Sequence, residues 1–185
     1  YGFYNYKPSI YDTGDLVDFQ NNNQKYNIGF SHNTFKSYSY LKRLKETVEL
    51  EKNLSVFEIG AGVFNFGHLL SLHLSHFEYV VCDLPEMISS AFKEINESYI
   101  PSCGGDYDVF LPTEIDKFEM SSSNRKILFI TPEQLKSNCL ADQKRFDLFV
   151  NHESFSEMDI DVVNSYLGYL PKLMKKDSVV FLVNR

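Results

Sequence analysis

Short apolar runs alternate with segments of helical periodicity along most of this chain. Five runs have the length and the β-branched and aromatic content of buried strands. They cover residues 54–59, 77–84, 126–131, 146–151 and 178–184. Between them, apolar residues recur at three- and four-residue steps, which predicts helices near residues 31–52, 64–75, 85–98 and 159–176. Apolar strands alternating with helices indicate an α/β fold: a Rossmann-like parallel sheet with helices on both faces.

The first 30 residues do not follow this pattern. They are rich in tyrosine and asparagine and have no regular period, so we expect an irregular arm. Its aromatic rings either pack on the main domain or cover a substrate pocket. We therefore divide the chain into residues 1–52, an arm and helix acting as a lid or cap, and residues 53–185, the ligand-binding core. Residues 99–124 are predicted to be mostly loop with one short helix.

Composition narrows the possible partners and surroundings. The 185 residues suit one domain, and the formal net charge is −7 with no basic block. A nucleic-acid partner is therefore not expected, and a small or carbohydrate-like substrate is favoured. Cys82, Cys103 and Cys139 show no paired spacing, which favours a reducing, cytoplasmic location. No apolar run approaches the roughly 18 residues of a membrane span, so no membrane partner is expected.

Candidate ligand-binding residues follow the predicted strands, because parallel sheets bind ligands at the carboxyl ends of their strands. The first strand ends in Glu58-Ile59-Gly60-Ala61-Gly62. Glycines at 60 and 62 permit a tight turn and close approach of a ligand to the backbone. Asp83 ends the second strand, where a carboxylate can accept hydrogen bonds from both hydroxyls of a ribose. Together these features favour a nucleoside-containing cofactor.

The type of cofactor is suggested by the glycine positions and by sequence resemblance. A dinucleotide fingerprint needs a third glycine at position 65, which is Asn65. The segment EIGAG instead closely resembles the first motif of class I S-adenosylmethionine-dependent methyltransferases, and VVCDLPEM resembles their second motif. KKDSVVFLVN resembles the stretch leading into their fifth strand. With FDLFVNHESFSEM, the similarity over residues 54–185 is greatest to a family of bacterial sugar O-methyltransferases.

Two features depart from the methyltransferase pattern. Its third glycine falls at Phe64, so we expect a differently shaped turn there, with Gly67 following shortly after. The family fold also has seven strands, of which the last two form an antiparallel hairpin after the fifth. This chain ends at Arg185, so we expect either that these strands are missing or that the sheet is open at that edge.

The resemblance implies how the cofactor, S-adenosyl-L-methionine, would be held. Gly60, Ala61 and Gly62 would line its methionine and ribose part. Asp83 would bind the ribose hydroxyls, and Leu84 would flank the adenine.

Four further residues are implied around the reacting groups. Glu58 would orient the glycine turn or the cofactor's amino group, and Asn151 would lie near the methyl group. His152 and Glu153 are the candidates for the base that removes the acceptor proton, although a histidine at this position often only forms hydrogen bonds.

Two sets of residues with metal-binding side chains have simpler explanations. A carboxylate set near residues 153–161 could hold a divalent metal, but acidic clusters before a helix usually serve as caps, so no metal is expected. Its members are Glu153, Glu157, Asp159 and Asp161. The histidines His68, His73 and His76 are predicted to lie on a helix surface rather than to bind a metal.

The predicted function is that of an S-adenosylmethionine-dependent O-methyltransferase. Its acceptor is expected to be a hydroxyl of a sugar or of a sugar-containing small molecule. Two alternatives remain open at this point. One is a nicotinamide-dependent oxidoreductase or epimerase, and the other is a methyltransferase-like domain that binds a partner without catalysis.

Overall fold

A computed structural model describes residues 2–5, 31–50, 53–103, 107–140 and 144–183 of the chain. In these residues, seven strands form one parallel sheet in the order β1-β7-β6-β2-β3-β5-β4. The strands are β1 (Gly2–Asn5), β2 (Leu54–Ile59), β3 (Phe77–Cys82), β4 (Asp108–Phe110), β5 (Arg125–Ile130), β6 (Phe146–His152) and β7 (Met174–Val183). The predicted Rossmann-like α/β fold is therefore confirmed.

Helices connect the strands and cover both faces of the sheet. They are α1 (His32–Lys45), α2 (Asn65–Ser71), α3 (Pro85–Glu94), α4 (Ile100–Cys103), α5 (Ile115–Met120), α6 (Pro132–Lys136), α7 (Ile160–Leu167) and α8 (Leu170–Leu173). A π-helical turn, Ile95–Tyr99, joins α3 to α4, and 3-10 turns occupy Pro112–Glu114 and Ser154–Glu157. No helix in the described part of the chain is long and apolar enough to cross a membrane.

Two apolar clusters form the core because successive strand residues face opposite sides of the sheet. Val56 belongs to the cluster under α1, α2 and α3, whereas its neighbour Phe57 belongs to the cluster under α5, α6 and α8. Both side chains are fully buried. A sheet buried on both faces explains why these strands are apolar at nearly every position.

The strand order puts the glycine turn at a reversal in the sheet. The segments predicted as first, fourth and fifth strands are β2, β6 and β7, which are adjacent, and β3 lies on the other side of β2. This arrangement is the predicted one, and it is confirmed. Because the chain winds in opposite directions from β2, the turn after this strand opens into the crevice where such folds bind ligands.

Three element assignments from the sequence need correction. Residues 2–5, predicted as part of an irregular arm, form β1 and pair with β7 from Gly2↔Val179 to Asn5↔Leu182, so the edge of β7 is paired. Residues 108–110, predicted as loop, form β4, whose three residues are too few to show a pattern. The last predicted helix ends at Leu173, and the following lysines lie in β7. Residues 6–30 of the predicted arm lie outside the described residues.

Phe64 takes a backbone conformation that glycine usually provides. Its φ is 68°, in the left-handed region, and its ring is buried against Tyr79 at a centroid distance of 5.0 Å. The ring also needs Gly67, since a Cβ there would lie 2.2 Å from Phe64 Cε2. The ring's contacts in the core offset the strain of a left-handed phenylalanine.

His68 is buried, not on the helix surface as predicted. Its exposed fraction is 1%, and its ring stacks on Tyr99 at a centroid distance of 4.0 Å. Burial, with the positive charge of Arg125, lowers the pKa of His68 from 6.5 to about 4. The ring is therefore neutral and part of the core at neutral pH.

The lowered pKa of His68 predicts acid sensitivity. The unfolded chain takes up this proton near pH 6.5 and the folded chain only near pH 4. The stabilising contribution of neutral His68 to the free energy of unfolding is thus fully present above pH 6.5 and is lost as the pH drops from there toward 4. We expect the free energy of unfolding to fall by about 2 kcal/mol between pH 7.5 and pH 5 through this residue. Urea unfolding of His68→Phe should lack this component, and the exposed control His76→Gln should keep it. Equal pH dependence in all three proteins would contradict the prediction.

Candidate active site

A cavity of about 320 Å³ lies at the carboxyl end of the sheet, between α1 and the turns that follow β2 and β6. Five of the nine residues predicted for the site line it: Gly60, Ala61, Gly62, His152 and Glu153. The other four are placed around or behind this cavity. The folded chain thus brings the predicted glycine turn and both candidate bases to one place.

Positions 60 and 62 of the turn favour glycine for different structural reasons. Gly60 has a φ of 72°, and a Cβ there would lie 2.3 Å from Ser154 Oγ. The turn after β6 therefore packs directly on Gly60. Gly62 has a φ of 59°, but a Cβ there would meet no atom within 4 Å. Its backbone is therefore accessible to a ligand in the cavity.

Asp83 joins the glycine turn to the end of β3. One carboxylate oxygen accepts a hydrogen bond from the Gly62 amide at 3.1 Å, and the other accepts one from the Leu84 amide at 2.8 Å. Partial burial raises the pKa of Asp83, although these two amides and that of Ala61 act in the opposite direction. A carboxylate oxygen can accept more than one hydrogen bond, so both oxygens retain capacity for ligand hydroxyls. Leu84 next to it is 51% exposed and offers an apolar surface.

Asn151 supports the cavity from behind. Its side chain is fully buried, and its amide nitrogen donates to the Ile59 carbonyl at 2.9 Å and to Ser154 Oγ at 2.5 Å. Its amide oxygen accepts from the Phe155 backbone at 3.3 Å. These contacts fasten the end of β2 to the turn after β6. Asn151 lies at the end of β6 as predicted, and its side-chain polar atoms form hydrogen bonds within the protein.

His152 lines the cavity with a buried carboxylate behind it. Glu58 has no exposed surface, and its Oε1 lies 3.0 Å from His152 Nδ1, at an angle away from an ideal hydrogen bond. Glu58 Oε2 accepts a hydrogen bond from the Tyr79 hydroxyl at 2.7 Å. Burial, followed by the charge and hydrogen bond of Glu58, raises the pKa of Tyr79 well above 10.0, so this hydroxyl remains a donor.

Glu153 holds α1 against the end of β6. It has a φ of 69°, and its carboxylate accepts a hydrogen bond from the Tyr40 hydroxyl at 2.9 Å and forms an ion pair with Lys36. Both partners line the cavity. No sequence signal marks Lys36 and Tyr40 as site residues, since they occupy ordinary positions of an amphipathic helix and lie more than 100 residues from Glu153.

The described residues contain no group of three or more histidine, cysteine, aspartate and glutamate side chains that could hold a metal ion. This holds for the acidic residues near the start of α7, where Asp159 is the residue that precedes the helix.

Comparison with known proteins supports the fold. No protein-family model matches the chain, and no curated protein matches it. A solved structure from Methanococcus maripaludis, provisionally named an S-adenosyl-L-methionine-dependent methyltransferase, is similar with a TM-score of 0.53 and 13% sequence identity. The alignment covers 98% of this chain and 67% of that chain. At this identity the similarity establishes a common fold.

Proposed function

We propose that the chain is an S-adenosylmethionine-dependent O-methyltransferase acting on a hydroxyl of a sugar or a sugar-containing small molecule. One observation carries the proposal. The Asp83 carboxylate accepts a hydrogen bond from the Gly62 amide at the point where the strand order of a parallel sheet reverses, beside a polar cavity. The similarity in fold to a protein named as a methyltransferase supports the same conclusion.

The residues present fit the cofactor. Gly62 leaves open space where a side chain would otherwise project, so the turn can lie against the methionine and ribose part of the ligand. Asp83 would accept hydrogen bonds from the ribose hydroxyls, and the exposed Leu84 would flank the adenine. When bound, S-adenosylmethionine supplies a methyl group activated by its sulfonium sulfur.

The cavity also suits an acceptor with several hydroxyls. Its wall on α1 carries Asn33, Ser37 and Tyr40, and Asn65 faces it from the start of α2. Amides and hydroxyls of this kind can donate and accept hydrogen bonds, as recognition of sugar hydroxyls requires. The net charge of −7 disfavours a polyanionic acceptor such as nucleic acid.

The residues of this chain would contribute to methyl transfer by aligning the acceptor hydroxyl and by removing its proton. The cavity walls would position the acceptor hydroxyl for transfer and limit the access of water, which would supply part of the rate enhancement. His152 accepts the hydroxyl proton as the oxygen forms its new bond, and later releases it to solvent.

Replacement of Asp83 tests the cofactor site. Asp83→Ala removes a charged acceptor of two hydroxyl hydrogen bonds, so S-adenosylmethionine affinity should fall by about 1–3 kcal/mol, or roughly 5- to 150-fold. Calorimetry measures this change. Glu86→Ala, which removes an exposed carboxylate three residues along the chain, is the matched control and should bind normally.

Three results would count against parts of this proposal. Unchanged affinity in a folded Asp83→Ala protein removes Asp83 from the site. Binding of a nicotinamide dinucleotide in place of S-adenosylmethionine favours the oxidoreductase. Tight S-adenosylmethionine binding without transfer to any member of a sugar panel indicates a non-catalytic domain.

A further inference from the structure

Two buried polar atoms face each other behind the cavity wall. Glu58 Oε1 and His152 Nδ1 are 3.0 Å apart, and neither forms a hydrogen bond with any other described residue. Glu58 Oε2 is already bound by the Tyr79 hydroxyl. Buried polar atoms are rarely left without partners, and a small rotation of the imidazole would align this pair.

The sheet itself produces the pair. Glu58 and Val150 are register partners on adjacent parallel strands, β2 and β6. His152 is two residues beyond Val150, so its side chain is on the same face of the sheet as that of Glu58. This is the face covered by α1 and α2, and the His152 ring packs there on Phe66 at a centroid distance of 5.3 Å. The contact is thus fixed by backbone pairing and packing.

We infer that Glu58 is a positioning residue that prepares His152 to remove the hydroxyl proton of the molecule that receives the methyl group. This inference rests on the proposed function. Glu58 accepts the Nδ1 proton of His152, which leaves the lone pair on Nε2 for the ligand in the cavity. Glu58 itself is fully buried and does not line the cavity, so it acts through His152. This role differs from the one implied by sequence resemblance, in which the carboxylate orients the cofactor or its loop.

The proton and electrons balance in this arrangement. The acceptor hydroxyl gives its proton to His152 Nε2, and its oxygen forms the new bond to the methyl carbon while the carbon–sulfur electron pair stays on sulfur. The imidazolium that results lies next to the Glu58 carboxylate, so its buried charge is compensated. Nε2 then returns the proton to solvent, and Glu58 keeps its protonation state throughout.

The tautomer of His152 tests the inference without any substrate. In ¹⁵N-histidine-labelled protein at pH 8, ring ¹H–¹⁵N correlations should show His152 with a protonated Nδ1 and an unprotonated Nε2. The signals are assigned by their loss in His152→Gln. In Glu58→Gln, the Tyr79 hydroxyl still bonds the amide oxygen, so the amide NH₂ faces Nδ1 and should reverse the tautomer. Tyr79→Phe keeps the carboxylate and should keep the wild-type tautomer.

The same samples separate this inference from the proposed function. S-adenosylmethionine affinity of Glu58→Gln should stay within about twofold of the wild type. An unchanged tautomer in Glu58→Gln overturns the inference, and a loss of affinity with that unchanged tautomer places Glu58 on the cofactor. If Glu58→Gln does not fold, Glu58→Asp replaces it and should shift the tautomer part of the way; no shift overturns the inference. If the wild type does not bind the cofactor, the proposed function is refuted. The tautomer measurement then still tests, by itself, whether Glu58 accepts the Nδ1 proton of His152.

Discussion

His152→Ala is expected to keep its affinity for S-adenosylmethionine and to lose about 10²- to 10⁴-fold in turnover, the usual contribution of a positioned base. The His152 ring lines the cavity, and its Nδ1 lies 3.0 Å from the buried Glu58 carboxylate. A sugar hydroxyl is a weak nucleophile until its proton is removed, so alignment of the acceptor alone still leaves a proton for the enzyme to remove. Transfer of a labelled methyl group to an acceptor found in a sugar panel measures the loss.

Glu153→Gln is the matched comparison for this experiment. The carboxylate of Glu153 is held by the Tyr40 hydroxyl and the Lys36 ammonium, so it is less suited to accept a proton from the ligand. We expect this variant to stay within about tenfold of wild-type turnover. Near-normal turnover of His152→Ala with an inactive Glu153→Gln would transfer the role of base to Glu153. Activity in both variants would place the chemistry elsewhere.

The strands and their order were predictable because they depend on local pattern and on general rules of chain winding. Apolar runs marked all of the longer strands, and the glycine turn with Asp83 marked the point where the order reverses. β4 was not predictable from three residues, and β1 carries no periodic signal. Its pairing with β7 joins residues more than 170 positions apart.

The sequence allowed prediction only of those residues of the candidate site that lie at the ends of strands. Glu58 is the second-last residue of β2 and His152 is the last residue of β6, so their proximity follows once β2 and β6 are known to pair. The contacts of Glu153 with α1 depend on how a helix packs over the sheet, which no spacing in the sequence reveals. His68 was misassigned for the same reason, since its neighbour Tyr99 comes from a distant π-helical turn.

The two glycines of the turn should respond differently to alanine. At Gly60 a Cβ would lie 2.3 Å from Ser154 Oγ and 2.4 Å from Ser154 Cβ, and the φ of 72° is itself unfavourable. Crowding of this kind costs about 1–3 kcal/mol and the left-handed backbone about 1–2 kcal/mol more, so Gly60→Ala should lower the free energy of unfolding by roughly 2–5 kcal/mol. In the double variant Gly60→Ala/Ser154→Gly the crowding is absent, and we expect part of the stability to return.

Gly62→Ala should instead affect the ligand. Its Cβ meets no atom within 4 Å, so only the cost of a φ of 59° remains, about 1–2 kcal/mol of stability. That Cβ would occupy space beside the cavity, where the proposed cofactor would approach the backbone. We therefore expect Gly62→Ala to remain folded and to bind S-adenosylmethionine about 5- to 150-fold more weakly, the equivalent of 1–3 kcal/mol of crowding. Urea unfolding and calorimetry on the two single variants measure both effects. Wild-type affinity in folded Gly62→Ala would show that the cofactor does not lie against this turn.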